Sequence, residues 1–343
     1  MSLSDYHATT GNWRLQLQRN ERKTRWVIAT FIALYVAVGL LVDVFVLQSY
    51  YPSTSLTQCF YALVTFQAMP LATLIMLGIA AVSLWVTYTL QDKIMLLGTD
   101  SHRVTLETAG SAEEKQLFHV VEEMAVAAGL SMPPTVYIIE APYMNAFASG
   151  TSERTALIAV TRGLLDKLPR AELQAVVAHE LSHIRHHDIK LTMMVAVLSN
   201  LLLIVLDVLF YAMLFKRDRR EDNRLFTVIL ILRYLLPLMT LVLALFLSRT
   251  RELMADAGCV ELMRDNEPLA RALLRIKADN TDHTVAYEKA YGETAHEQVR
   301  QASYLFDPSD LDPVKSLNSV FATHPSIERR LDALGFLSKK RNP

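Results

Sequence analysis

The stretch VVAHELSHIRHHDIKL, residues 176–191, sets four histidines within nine positions. His179 and His183 are four residues apart, and so are His183 and His187. On a helix either pair lies about 40° apart around the axis and one turn along it. Two imidazoles so placed can reach one ion at the roughly 2.0–2.1 Å of a zinc–nitrogen bond. What separates the pairs is the next residue. Glu180 follows His179 and can take a proton from a water beside a metal, whereas Ile184 follows His183 and cannot. His179-Glu180-x-x-His183 is therefore the arrangement for metal-assisted hydrolysis, with Glu180 as general base. His186 returns to the His179 face about 10 Å further along, too far to share that ion. With Arg185, His187 and Asp188 it reads as a polar collar.

A catalytic zinc takes three protein ligands and keeps one position open. The best donor region is SRTRELMADAG at 248–258, where Glu252 and Asp256 are four apart and share a helical face. One carboxylate can bind the metal while the other orients a ligand histidine through its free ring nitrogen. Spacing alone does not say which, and acidic pairs four apart are common on solvated helices.

These groups need a scaffold. Pro169 suits the first turn of a helix expected to run through Asp188, with Leu173, Val176, Val177, Leu181 and Ile184 as its core-facing stripe. Ser111 and Glu114 stand in capping-box spacing ahead of a helix to Gly129. TVYIIEA (135–141) and TALIAVT (155–161) read as strands. Between them NAFASG, residues 145–150, fits an edge strand, an ordered loop or an ordinary turn.

The 343-residue chain is 52% hydrophobic, with a mean hydropathy of +0.22, so lipid enters the reading. Its formal net charge of −1 argues against a nucleic-acid binder, and two cysteines cannot build a disulfide framework. Trp26–Leu47, Met69–Leu90, Ile189–Phe215 and Leu225–Leu247 each approach or exceed the roughly 20 residues that cross a bilayer. The tail before them carries Arg14, Arg19, Arg22, Lys23 and Arg25, while 48–68 has no Lys or Arg. The positive-inside rule then puts the N-terminus in the cytoplasm and the 48–68 loop outside. The second hairpin fits less easily, because its 216–224 turn KRDRREDNR is basic; it either spans or is re-entrant, and spanning is favoured. Asp207 and Arg233 fall at similar depth in that hairpin and are expected to form a buried pair.

The chain is thus expected to be α+β, a mainly helical integral membrane protein with a small sheet. Its organisation reads as a cytoplasmic tail (1–25), two transmembrane helices (26–91), a soluble part (92–188), a hydrophobic hairpin (189–248) and a second soluble part (249–343).

NAFASG, HELSH, SRTRELMADAG and FATHPSIERRL occur in an order and setting that resemble the HtpX-like membrane zinc metalloproteases, relatives of the CAAX prenyl proteases. The resemblance covers roughly residues 100–335. It implies a zincin-like domain, one zinc held by His179, His183 and Glu252, Glu180 as base and Asp256 as the carboxylate behind a ligand. It also places Asn145, Ala146, Phe147 and Ala148 beside a substrate that adds as a β-strand, and His324 near the cleft as oxyanion support. Arg330 either stabilises the fold or approaches the site, and its role stays open. The longer N-terminal tail and the His186-His187 pair depart from the family pattern. Taken together, these imply a bacterial inner-membrane endopeptidase facing the cytoplasm, acting on misfolded membrane proteins or peptides and needing no nucleic acid. An intramembrane protease and a catalytically silent, zinc-stabilised scaffold are the competing readings. The polar run after HELSH disfavours the first, and Glu180 disfavours the second.

Overall fold

The computed structural model describes residues 3–8, 12–96, 99–215, 223–293, 304–306 and 322–339. It divides into two compact units, one of Met1–Thr24, Leu90–Lys190 and Leu247–Pro343, the other of Arg25–Thr89 and Leu191–Phe246.

The first unit holds a four-stranded sheet in the order β2 (Ser101–Val104), β3 (Thr135–Ile139), β5 (Leu157–Thr161), β4 (Ala146–Ser149). β3 and β5 run parallel, while β2 and β4 are antiparallel edges, with Ala146 opposite Val160 and Ala148 opposite Ile158. NAFASG is therefore an edge strand over Ala146–Ser149. A separate pair joins β1 (Tyr6–Ala8) to β6 (Phe336–Ser338). Helices α4 (Ala112–Ala128), α5 (Arg162–Lys167), α6 (Arg170–Arg185) and α9 (Glu267–Asp282) complete the layer. α6 packs against α4, α9 and β4. Leu173, Val176, Val177 and Leu181 have no exposed surface and Ile184 little, so the apolar stripe does face the core. The Ser111 hydroxyl caps α4 by accepting from Glu114 N–H, but the Glu114 carboxylate is taken by Gly110 N–H and Arg162. The reciprocal half of a capping box does not form.

The helix expected through Asp188 ends at Arg185, and a new one, α7 (Asp188–Phe215), begins three residues later. Neither Gly nor Pro marks the break. His187 takes the left-handed conformation at φ 54°, uncommon for a residue with a side chain. His186 Nδ1 folds back to 2.8 Å from Ser182 O, and Arg251 donates to His186 O at 3.0 Å. Tertiary contacts to the freed backbone thus hold the break open.

The second unit is apolar. Among the described residues four helices are long and apolar enough to cross a membrane: α1 (Trp13–Tyr50), α3 (Leu71–Met95, apolar to Leu90), α7 and α8 (Asn223–Met263). Ile75, Ile79, Val82 and Trp85 stay exposed on α3, a surface suited to lipid. A short helix α2 (Leu56–Val64), closed by a Ser55–Gln58 capping box, lies within the stretch read from sequence only as a loop. Asp43 of α1 accepts from Ala72 N–H (2.7 Å), Thr73 N–H (2.9 Å) and the Thr73 hydroxyl (2.6 Å), capping α3 where its first N–H groups lack helical partners. Asp207 Oδ1 meets Arg233 Nε at 2.8 Å, so the expected pair forms, but on the surface of the helices and not buried, with the side chains 52% and 25% exposed; the guanidinium lies over the Phe210 ring at 4.1 Å. The basic 216–222 turn lies outside the described residues.

Candidate active site

With the apolar stripe of α6 turned to the core, His179, Glu180 and His183 come to another side of the helix. α8 delivers the carboxylates. Its Gly258 permits a close approach to α6, since a Cβ there would meet Ser182 Oγ at 2.1 Å and Ser182 Cβ at 3.0 Å.

His179 Nε2 and His183 Nε2 lie 3.2 Å apart. Glu252 spans both, with Oε2 at 3.6 Å from His179 Nε2 and Oε1 at 3.5 Å from His183 Nε2. One ligand atom from each residue falls within 4.8 Å of the others. Behind each ring stands another carboxylate: Asp256 Oδ1 is 3.1 Å from His179 Nδ1, and Asp188 Oδ2 is 2.7 Å from His183 Nδ1. Carboxylates only accept, so each Nδ1 carries the proton and a neutral ring turns its Nε2 lone pair inward. Two such lone pairs and a carboxylate converging at one point make a donor set for a cation. In donor type, convergence and outer partners the three residues fit a metal ion.

Electrostatics agree. Burial pushes His179 down, but hydrogen bonds to Asp256 and Glu252 outweigh it and raise the ring to about 9, so without metal a proton occupies the site. Burial lowers His183 to about 3, with the charges of His179, Arg251 and Arg330 acting the same way and Glu252 opposing. Burial also acts to raise Glu252, yet the His324, His179 and His183 imidazoles hold it well below the ordinary carboxylate range. Glu180, 1% exposed, is raised by burial to about 7; the His179 charge opposes, Glu252 adds, and Ala148 N–H donates to its carboxylate.

Arg330, its role left open by the sequence, is 2% exposed. Its Nη2 donates to Asp256 Oδ1 at 2.6 Å, its Nε to Asp256 Oδ2 at 3.0 Å, and its Nη1 to Leu305 O at 2.9 Å. His324 Nδ1 comes within 3.4 Å of Glu252 Oε2, so the residue lies at the site.

The β4 residues meet the site unequally. Asn145 O accepts from Thr161 N–H of β5, so alternation turns the Ala146 and Ala148 backbones to the free edge. Ala148 N–H is the one on Glu180. Ala146 O accepts from Leu305 N–H at 2.9 Å, and the Asn145 side chain donates to Phe306 O (2.9 Å) and accepts from Phe306 N–H (3.2 Å). Phe147 is fully buried, edge-on to the Tyr304 ring. Residues 304–306 of the same chain thus occupy the Asn145–Ala146 part of the edge.

Sequence reasoning missed Asp188, Arg251 and the 304–306 segment at this site. A carboxylate five residues past His183 was a signal, but on an unbroken helix it points elsewhere. Nothing in the sequence announced the other two.

A HExxH helix answered by a carboxylate from a later helix, on a chain with four apolar helices, defines a membrane-bound metallopeptidase. The chain belongs to peptidase family M48, whose model matches residues 111–337. It is 39% identical over 323 residues to a "Protease HtpX homolog" of Helicobacter pylori (strain Shi470), covering 94% of this chain and 98% of that one. To the protein of the same description from Thermoanaerobacter pseudethanolicus it is 33% identical over 328 residues, covering 93% and 96%. Among solved structures, the crystal structure of S. mikatae Ste24p aligns at a TM-score of 0.48 and 17% identity, over 96% of this chain and 67% of that chain.

Proposed function

We propose that the chain is a zinc endopeptidase in which His179, His183 and Glu252 hold the metal and Glu180 is the general base. The observation that carries this reading is the convergence of two Nε2 atoms and the Glu252 carboxylate within 4.8 Å, with Glu180 next to His179 on the same helix. Zinc held there would supply a Lewis acid that acidifies water and polarises a peptide carbonyl. Glu180 takes the proton from the attacking water and returns it to the leaving amine. Its burial keeps the carboxylate poorly hydrated, hence a stronger base than an exposed one. Asp256 holds the His179 ring in place, and His324 donates toward the oxygen that becomes negative as the carbonyl is attacked. A peptide lying as an added strand against β4 would present its backbone near Ala148 and Glu180.

Membrane proteins and their cytoplasmic segments are the substrates proposed, within membrane quality control under stress. The four apolar helices support a membrane location. The basic residues in the first turns of α1 (Arg14, Arg19, Arg22, Lys23 and Arg25), set against a 48–68 loop without Lys or Arg, support an active site facing the cytoplasm of a bacterial inner membrane. The test is cleavage of a model membrane substrate by the Glu180→Gln variant beside the parent, with zinc content measured in both. The expected result is a zinc-replete variant at least about 10²-fold slower. Undiminished proteolysis would overturn the mechanism.

A further inference from the structure

We propose that Asp188, anchored by Arg251, is a positioning residue for His183, fixing the ring so that Nε2 is the nitrogen offered to metal. The proposal rests on His183 being a metal ligand and goes beyond it.

Asp188 Oδ2 lies 2.7 Å from His183 Nδ1, the shortest contact to either ligand ring. On a continuous helix, residues five apart point about 140° away from each other and do not meet. The break at His186 and His187 brings the carboxylate back. Arg251 acts on both parts of that turn: its guanidinium pairs with Asp188 Oδ1 and donates to His186 O at 3.0 Å. Arg251 also directly precedes Glu252. One turn of α8 therefore supplies both the third ligand and the anchor for the carboxylate behind the second. All three groups are withdrawn from water, Asp188 being 5%, Arg251 6% and Glu252 7% exposed. The arrangement parallels Asp256 behind His179, where Arg330 is the anchor. Each ligand histidine thus has a carboxylate on Nδ1, and each carboxylate has a buried arginine. Orienting partners of this kind are worth about 10–100-fold in metal affinity.

A merely structural Asp188 would cap α7 and neutralise Arg251, with no bearing on His183. Chelator competition on the full-length protein in detergent distinguishes the two. Asp188→Ala should bind zinc about 10–100-fold more weakly than the parent. Asp188→Asn should recover most of that loss, because its amide oxygen still accepts from Nδ1–H. Affinity within about threefold of the parent for Asp188→Ala, or equal loss in both variants, overturns the proposal. The metal-free parent gives an answer independent of variant folding: nitrogen-15 shifts should show His183 as the Nδ1–H tautomer, and an Nε2–H tautomer overturns it. His183→Ala is the control for the underlying reading. If that variant binds zinc like the parent, the ligand assignment fails, whatever Asp188 does.

Discussion

Asp256 and Arg330 form a doubly bonded pair, 2.6 and 3.0 Å, with 1% and 2% of their surfaces exposed. The same carboxylate reaches His179 Nδ1 at 3.1 Å. Burial acts to raise Asp256, but the Arg330 charge dominates the opposing influences and holds it below the ordinary range, so it stays an anion behind the His179 ring. Asp256→Ala takes the two short carboxylate bonds from a buried guanidinium, leaving it Leu305 O and a longer contact to Glu252 Oε2 at 3.7 Å, and should cost about 3–5 kcal/mol. Arg330→Met strands the carboxylate instead. The double variant should be more stable than the sum of the two losses, since it leaves neither charge unpaired. Denaturant unfolding of the four proteins measures this, and simple additivity would mean that the two residues do not depend on each other.

Glu180 gives a pH dependence with a defined sign. Burial lifts its carboxyl from 4.5 to about 7 in the metal-free protein. A carboxyl raised on folding contributes stability that is full below its unfolded pKa and is lost as pH climbs through the folded value. In chelator-treated protein, Glu180→Gln should therefore match the parent at pH 4 and exceed it at pH 8, by at most about 3 kcal/mol. Melting curves at the two pH values test this, and an equal shift at both would show that ionisation is not the cause.

Gly258 sets how closely α8 meets α6. Ala at 258 would put a methyl group 2.1 Å from Ser182 Oγ, so hydroxyl or helix must move. The expected cost is about 1–3 kcal/mol, with weaker zinc binding because Glu252 and Asp256 move with the helix. Gly258→Ala combined with Ser182→Ala should recover part of both. Equal metal affinity in Gly258→Ala and the parent would show that the approach does not set the ligand geometry.

Asp43 tests the apolar unit on its own. It satisfies two N–H groups and a hydroxyl at the start of α3. Asp43→Ala should destabilise by about 1–3 kcal/mol, since buried donors are left without partners. Asp43→Asn retains one acceptor oxygen and should fall between. Detergent melting curves rank the three, and an unaffected Asp43→Ala would deny the cap any energetic weight.

The sequence made legible what repeats locally or needs only composition. Four apolar runs became four long helices, and His179, Glu180 and His183 needed only the helical period. Glu252 and Asp256 were identified as a pair, but dividing their tasks took the resemblance; the geometry then put Glu252 on both Nε2 atoms and Asp256 behind His179. The rest depends on contacts distant in sequence. The α6–α7 break lacks Gly or Pro and is held by Arg251, 65 residues beyond His186. Arg330 reaches Asp256 across 74 positions. Asp43 is the one acid in the Trp26–Leu47 run, and only folding shows the helix start it caps. No local period encodes such meetings.

The added-strand reading of β4 carries a condition that the sequence could not supply. Ala146 O already accepts from Leu305 N–H, and the Asn145 side chain engages both backbone groups of Phe306. A peptide that pairs along the whole Asn145–Ala148 edge must displace residues 304–306, whereas one that begins at Ala148 leaves them in place. The two cases separate by amide exchange in zinc-loaded Glu180→Gln saturated with a model peptide, with β5 amides as internal reference. Full-edge pairing should deprotect the Leu305 amide on binding and leave Thr161 N–H unchanged. If Leu305 stays protected at saturation, Asn145 and Ala146 are not substrate contacts, and the strand would offer the peptide only its Ala148 end. Leu305 is 2% exposed and packs in the main core, so its removal would be costly and peptide affinity would fall accordingly. Leu305→Ala, which weakens that packing but keeps the N–H, should then bind the peptide more tightly than the parent if the whole edge is used, and no more tightly if only its end is.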